Sequence, residues 1–429
     1  MTHQPTLSRR SLLAAAAVGA TAGLTQRHGF AAAPPPKHVL LRSAWQVISL
    51  ADLAETLGDL ALLERHLPGA AVTLWPMYLS EPAEAVVRRR FPKVDVVRGQ
   101  VDRKTFTAAE PALQAAMTRA DLVLHGSGPL VVSPEALEFA RVARKPFGVI
   151  GVTLNETDEK VVALLSNARF VLPRDSATVD ALRRSNLKGP AVGLSPDSAF
   201  ACDARDDAKA ADFLKSAGLA DGGFLCVVPK LRYTPFKKYF APDVVAKREA
   251  VNERFVGPDH DKLRAAMVAW VRQTGRRVLV CPELTYQIGL ADKLLIDPLP
   301  ADVKPKVAKR DTFWLPDEAA SVLARAAAIL SPEMNPAVLA LAAGTPAVYL
   351  HQTTDGRKGV MLRDLNLGDW ALDADDATGE QLAKTVLAIA ADPAAAKARV
   401  RKVNETVGTL HAAAMKRVAA AAGVAPEAR

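Results

Sequence analysis

Cysteine is scarce in this chain: its 429 residues include three, Cys202, Cys226 and Cys281, with no CxxC pair. That excludes a disulfide framework as the source of stability. Cys226 and Cys281 lie inside apolar, strand-like runs, "FLCVVP" and "VLVCPE", and read as small core residues. Asp, Glu and His fall at no ligand-like spacing, so no metal is expected. No basic run is interleaved with aromatics, which argues against nucleic acid as a partner. The one conspicuous early apolar run is too short to span a bilayer, so no stable membrane span is expected.

That early run has a different meaning. In "SRRSLLAAAAVGATAGL" the paired Arg9 and Arg10 precede a mildly hydrophobic stretch, and "FAAAPPP" supplies small residues for cleavage near Ala33. The pattern resembles a twin-arginine export signal over 1–33, which carries folded proteins across a membrane to the periplasm or beyond. Removing Arg9, Arg10 and Arg27 with it lowers the formal charge from +9 to +6. A mild positive excess suits anionic ligands without demanding one.

From residue 38 the chain alternates short apolar runs with helical periodicity. "HVLLRSAW", "AVTLWPMY", "VDVVRG", "DLVLHGSG", "PFGVIGVTL" and "RFVLPRD" are each followed by a helix-like segment. Continuous apolar runs of this length indicate parallel strands covered on both faces. The rhythm lapses into a charged stretch at 201–222, then restarts with "FLCVVPKLRY", "RRVLVCPE", "AILSPEM" and "PAVYLHQ". The expected organisation is an N-terminal Rossmann-like domain (38–200), a linker carrying a helix (201–222), a C-terminal Rossmann-like domain (223–385) and terminal helices (386–429). Two doubly wound α/β domains leave a cleft between them, and the carboxyl ends of the strands are the expected ligand positions. Two-Rossmann glycosyltransferases of the GT-B type and periplasmic binding proteins both fit this outline.

Four turns sit where ligands would. Gly58 and Asp59 stand at the expected entrance to a helix, where Asp59 either caps it or accepts a ligand hydroxyl. His125, Gly126, Ser127 and Gly128 end a strand, and their glycines would let backbone approach a ligand closely. The turn matches neither a Walker A loop nor GxGxxG, so it names no nucleotide. Arg174 ends another strand before a helix that Ser176 or Thr178 would cap; it either holds a phosphate or carboxylate or pairs with Asp175. Lys230 and Arg232 follow the first strand of the second half, with Lys237 and Lys238 close behind.

In order and spacing these turns resemble the polysaccharide pyruvyl transferase family over roughly residues 38–385. Thr56-Leu57-Gly58-Asp59 matches the family's "GNxGD" turn, His125-Gly126-Ser127-Gly128 its "hGGG" turn, and Arg174-Asp175 its "xRDxxS" segment. Ser331, Ala342, Gly344 and Pro346 keep the frame of "SxRxHxxxxAxxxGxP", and "GRKGVMLRDLNLGDW" supplies the later lysine, Lys358, and the Leu-Asn-Leu. The resemblance implies a GT-B-type arrangement and transfer of a pyruvyl group from phosphoenolpyruvate to hydroxyls of a saccharide or polysaccharide acceptor, with no other cofactor. Such chemistry needs cations for the donor's carboxylate and phosphate and an acid facing its double bond. The family's late arginine and histidine are associated with those tasks, and here Glu333 and Asn335 stand in their places.

Glu333 and Asn335 are therefore the candidate catalytic residues. Three readings of the turn are open: Glu333 as a burial-shifted acid, Glu333 as a hydrogen-bonding group for sugar hydroxyls, or a structural turn in which Glu333 or Asn335 caps the following helix. Pro336 after Asn335 suits the cap. Phosphoenolpyruvate is a cytoplasmic metabolite, so beside the transferase reading stands the alternative of a catalytically altered, exported glycan-binding protein on the same scaffold. A solute-binding protein fits less well, because a single linker joins the halves.

Overall fold

The computed structural model describes residues 36–155 and 158–424, so the expected export signal lies outside the described residues. The first sheet contains β1 (His38–Ser43), β2 (Ala71–Pro76), β3 (Asp95–Val96), β4 (Leu122–His125), β5 (Phe147–Ile150), β6 (Phe170–Leu172) and β7 (Ala191–Val192). All are parallel, in the order β3-β2-β1-β4-β5-β6-β7. The second contains β8 (Phe224–Val227), β9 (Arg277–Val280), β10 (Val307–Lys309), β11 (Ala328–Ser331), β12 (Ala347–His351) and β13 (Ala371–Asp373). Its order is β10-β9-β8-β11-β12-β13, again parallel. Both are Rossmann-type orders that reverse direction once, between β1 and β4 and between β8 and β11. Crevices at such switch points are where α/β sheets hold ligands.

The central strands read as unbroken apolar runs because both faces are covered. Every residue of β1, β4, β8 and β11 is buried. The short β7, β10 and β13 escape a sequence reading, since two or three residues carry no period. The helices of the first half are α1 (Leu50–His66), α2 (Glu81–Arg90), α3 (Pro111–Arg119), α4 (Pro134–Val142), α5 (Glu159–Leu165) and α6 (Ser176–Arg184). Those that follow are α7 (Asp207–Ser216), α8 (Pro242–Thr274), α9 (Pro316–Leu323), α10 (Met334–Ala342), α11 (Val360–Asp364), α12 (Gly379–Ala391) and α13 (Pro393–Ala422). Stretch 201–222 does carry a helix, α7, which packs on α9.

Three local expectations are corrected. α1 begins at Leu50, where Ser49 accepts from the Asp52 amide, so Gly58 and Asp59 fall mid-helix and not at its entrance. Asp175, not Ser176 or Thr178, caps α6 by accepting from the Thr178 amide. Sequence periodicity marks a helix over "DHDKLRAAMVAWVRQTG", from Asp259, but α8 begins at Pro242 and runs through Gly257 and Pro258, residues that ordinarily break a helix. It stops at Gly275, whose φ of 68° is the left-handed conformation that ends a helix.

The halves are joined by more than the linker. The Leu50 amide donates to the Glu283 carbonyl (3.0 Å) and the Thr285 amide to the Ile48 carbonyl (3.1 Å), a short antiparallel bridge beside the cleft. Across the other side, Asp364 accepts from the Ser176 amide and hydroxyl at 2.8 and 2.7 Å. Finally α13 returns to the first half and packs on α1, β5 and β6. There His411 Nε2 donates to the Pro196 carbonyl at 2.9 Å.

Candidate active site

The loops after β1, β8, β9 and β11 face one another across a cleft of about 320 Å³. The size suits a small ligand or one sugar with its donor. Of the residues expected from sequence, Arg174, Lys230, Arg232, Glu333, Asn335 and Lys358 line it together.

Glu333 precedes α10 in the cap position, yet its side chain makes no cap hydrogen bond. Instead Ser331 holds the turn: its hydroxyl accepts from the Glu333 amide (3.0 Å) and donates to the Glu333 carbonyl (2.7 Å). That frees the Glu333 side chain for the cleft. Gln287 uses its carbonyl oxygen to accept from the Glu283 and Leu284 amides, so its amide group must donate to Glu333 Oε1, at 3.1 Å. Oε2 lies 3.6 Å from Lys230 Nζ. Burial raises the Glu333 carboxyl above its ordinary range, with Lys230 opposing and Asp355 adding to the rise. Asn335 does not cap either: its Oδ1 is buried with no partner among the described residues. The capping reading of this turn therefore fails for both residues.

Lys230 is anchored from below. Its Nζ donates to both Asp355 oxygens (2.6 and 2.8 Å) and to the Pro332 carbonyl (3.0 Å), while Tyr349 donates to Asp355 at 3.0 Å. Burial works against the charge on Lys230, but Asp355 and Glu333 outweigh it and raise its pKa. Burial also pushes Asp355 up, yet Lys230 and Lys358 win and hold it below its usual range. Lys230 and Asp355 are thus a fixed ion pair. Arg232 is similarly engaged, in a fork to Asp259 (2.9 and 3.0 Å) and a bond to Asp375 (2.6 Å). Arg174 is buried and bound to Asp197, to Glu55 (3.2 Å) and to the Thr153 hydroxyl (2.8 Å), so its partners lie on other elements and not at Asp175. Two cations of the wall remain without a carboxylate partner among the described residues: Lys358, whose field reaches Asp52, Glu333 and Asp355, and Arg248.

Facing these cations is an acidic wall that sequence reading missed. Asp52 and Glu55, three apart on one face of α1, meet Glu283 from the end of β9. Glu283 Oε1 accepts from the Ser49 hydroxyl (2.7 Å) and the Ala51 amide (3.2 Å). The helix N-terminus favours its anion, but burial and then Glu333 prevail and push it up to about 8. Burial likewise lifts Asp52 to about 7, and lifts Glu55 well above its ordinary range with help from Asp197. Asp52 Oδ2 and Glu55 Oε2, like Asn335 Oδ1, have no hydrogen-bond partner among the described residues. The i, i+3 acids on a helix leading from β1, and an acid directly after the β9 run, are the signals that would have found this wall.

The remaining expected residues are off the wall, among buried groups behind it. Gly58 lies against the Ser198 carbonyl, where a Cβ would clash with backbone. Asp59 accepts from the Ser43 hydroxyl (3.2 Å) and from the Ser127 amide, and Gly126 leaves room for its carboxyl. His125 is fully buried, stacked on Trp45, with Nδ1 donating to the Gly126 carbonyl and Nε2 accepting from the Val132 amide. Burial lowers it to about 4, so it is neutral. Trp45 Nε1 donates to the Ser127 carbonyl, and its ring covers Gly128. This turn holds β4 to α1; only its neighbour Pro129 reaches the cleft.

The model of the polysaccharide pyruvyl transferase family matches residues 60–351. The chain belongs to that family. No curated protein matches it. In solved structures its fold is similar to that of a UDP-GlcNAc 2-epimerase from Neisseria meningitidis bound to UDP-GlcNAc, with TM-score 0.53 and 11% identity over 89% of this chain and 99% of that one. It is similar too to Anabaena HepE in complex with UDP (TM-score 0.52, 10% identity, 90% and 98% covered). Arabidopsis thaliana UGT89C1 complexed with quercetin gives TM-score 0.52 and 11% identity, with 90% and 99% covered. These likenesses show the fold: two Rossmann-like domains in a GT-B arrangement. The late turn of its cleft presents a carboxyl, Glu333, and an amide, Asn335.

Among the described residues, no helix is long and apolar enough to cross a membrane.

Proposed function

We propose that the protein transfers a pyruvyl group from phosphoenolpyruvate to two hydroxyls of a sugar in an envelope glycan, forming a cyclic ketal. The observation that carries this reading is the cleft's division of labour. Buried acceptors without partners among the described residues, on Asp52, Glu55 and Asn335, suit sugar hydroxyls, and Lys358, which has no carboxylate partner among them, suits the donor's carboxylate and phosphate.

Glu333, whose carboxyl burial holds above its ordinary range, acts as the acid and gives a proton to the methylene carbon of the donor. Positive charge develops at the adjacent carbon, and the first sugar hydroxyl attacks there, returning its proton to Glu333. The second hydroxyl then attacks the same carbon. Its proton goes to the departing phosphate, which leaves with the electrons of the broken carbon–oxygen bond. Asn335 Oδ1 positions the attacking hydroxyl. Export through the Arg9-Arg10 signal is part of the proposal, and places the acceptor in the cell envelope.

A second reading draws on the same turn: with Glu333 and Asn335 at the family's arginine and histidine positions, the protein binds glycan without turnover. Incubating the purified protein with phosphoenolpyruvate and envelope saccharides separates the two. Phosphate release together with a new ketal methyl signal in the proton NMR spectrum supports transfer. Saccharide binding with neither signal supports the second reading, and binding of neither donor nor saccharide removes both.

A further inference from the structure

At one end the cleft wall does not close but continues into a groove. Tyr233, Thr234, Phe236 and Arg248 line both the cleft and this groove, which runs out along Lys237, Phe240 and the first turns of α8. Tyr239, at the end of the single 3-10 turn Lys237–Tyr239, is 60% exposed, and Phe240, which follows it in the groove wall, is 38% exposed.

The aromatic rings here are held in place. The Arg248 guanidinium lies over Phe240 at 3.6 Å and over Tyr233 at 5.0 Å, and Lys238 lies over Tyr239 at 5.0 Å. Phe236 and Tyr239 meet edge to face at 5.8 Å. Such fixing lowers the entropy lost when a ligand settles on the rings. Two large exposed aromatics side by side, next to lysines, are costly to leave in water without a use.

We infer that this groove is a second saccharide subsite, and that it holds an acidic sugar of the acceptor chain adjacent to the one in the cleft. The inference rests on the saccharide-acceptor reading above and narrows it: the acceptor is an oligomer or polymer carrying carboxylates. Sugar rings present faces of C–H groups that pack on the negative face of an aromatic ring. The carboxylate meets Arg248, which has no carboxylate partner among the described residues, with Lys238 nearby; Lys237 is already paired with Glu249 (2.5 Å), which shares the groove wall. The continuity of the two cavities dictates that one chain occupies both. A ketal product bears a carboxylate of its own, so a modified repeat fits the groove while the next repeat enters the cleft.

The test is binding of oligouronates of graded length, dimer to octamer, with neutral dextran oligomers of matching length as the control. For the native chain, affinity for uronates should rise about tenfold with length and affinity for dextrans should not. Tyr239→Ala with Phe240→Ala should abolish the gain while leaving dimer affinity and the melting temperature unchanged, since both side chains are exposed. Phe240→Trp should retain it. A native chain with no length gain, an equal gain for dextrans, or a double variant that keeps the gain overturns the subsite. No donor is present in this assay. Loss of the length gain in the variant without pyruvyl transfer would leave the groove standing and remove the reaction, and transfer to a short acceptor without a length gain would do the reverse.

Discussion

Glu333 is a single carboxyl on which the proposed reaction turns. Glu333→Gln keeps the hydrogen bond from Gln287 but has no proton to give. Turnover, followed as phosphate release, should fall by about a hundredfold or more, with saccharide affinity nearly unchanged. Retained turnover would take the acid role away from it. Lys358→Ala removes an unpaired cation, and the KM for phosphoenolpyruvate should rise about tenfold while the lost affinity is regained in part by Lys358→Arg. Glu283 reports differently, through stability. Its carboxyl is neutral in the folded protein up to about 8, whereas the unfolded chain ionises near the ordinary 4.5. Between those values the folded state holds a proton the unfolded state has lost, so stability falls as pH rises, by at most about 1.4 kcal/mol per pH unit, and levels off above 8. Glu283→Gln lacks that slope. The melting temperature of the variant relative to the native chain should therefore climb from pH 5 to pH 8. Asp52 and Asp59, both raised to about 7 by burial, leave a residual slope in each protein.

Among the elements, α1 shows both what a sequence conveys and what it hides. Its apolar period was legible, and so was the presence of functional-looking Gly58 and Asp59. What was not legible is that Ser49, capping at a distance, starts the helix early enough to bury both in its middle. Gly58 is glycine because the Ser198 carbonyl lies against it. Gly58→Ala gains up to about 1 kcal/mol in helix propensity. The clash with backbone that cannot swing aside costs about 1–3 kcal/mol, and the clash should win in urea titration. A more stable variant would show that α1 slides freely on this turn. The cations were legible by type and position at strand ends, but not their pairing. Arg174 meets Glu55, 119 residues earlier, and Asp197, and no local spacing encodes contacts of that range. The acidic wall escaped for the same reason, as Glu283 acquires its meaning only when Ser49 is brought to it from the other half.

For the molecule as a whole, the two-sheet plan was readable from the alternation of apolar runs alone, because parallel strands buried on both faces leave a continuous signature. The way the halves are tied was not. α13 buries Val400, Val403, Val407, Met415 and Val418, and its contacts include α1 of the first half. A chain ending before Pro393 leaves the matching surface bare. It should be recovered as insoluble protein, or as a soluble form that binds a hydrophobic dye and melts without cooperativity. A truncated chain that melts cooperatively would show that the helix is dispensable.

The return of α13 to the first half also sets an order of events during synthesis. A ribosome releases the chain from its amino end, so the strands of the first sheet emerge hundreds of residues before the helix that covers α1, β5 and β6. The first half is finished only when the last helix arrives. Under the proposed twin-arginine route, which accepts folded cargo, the signal at Arg9-Arg10 would leave the ribosome long before α13. Under that proposal, a chain broken off before α13 would carry the signal with α1, β5 and β6 still uncovered.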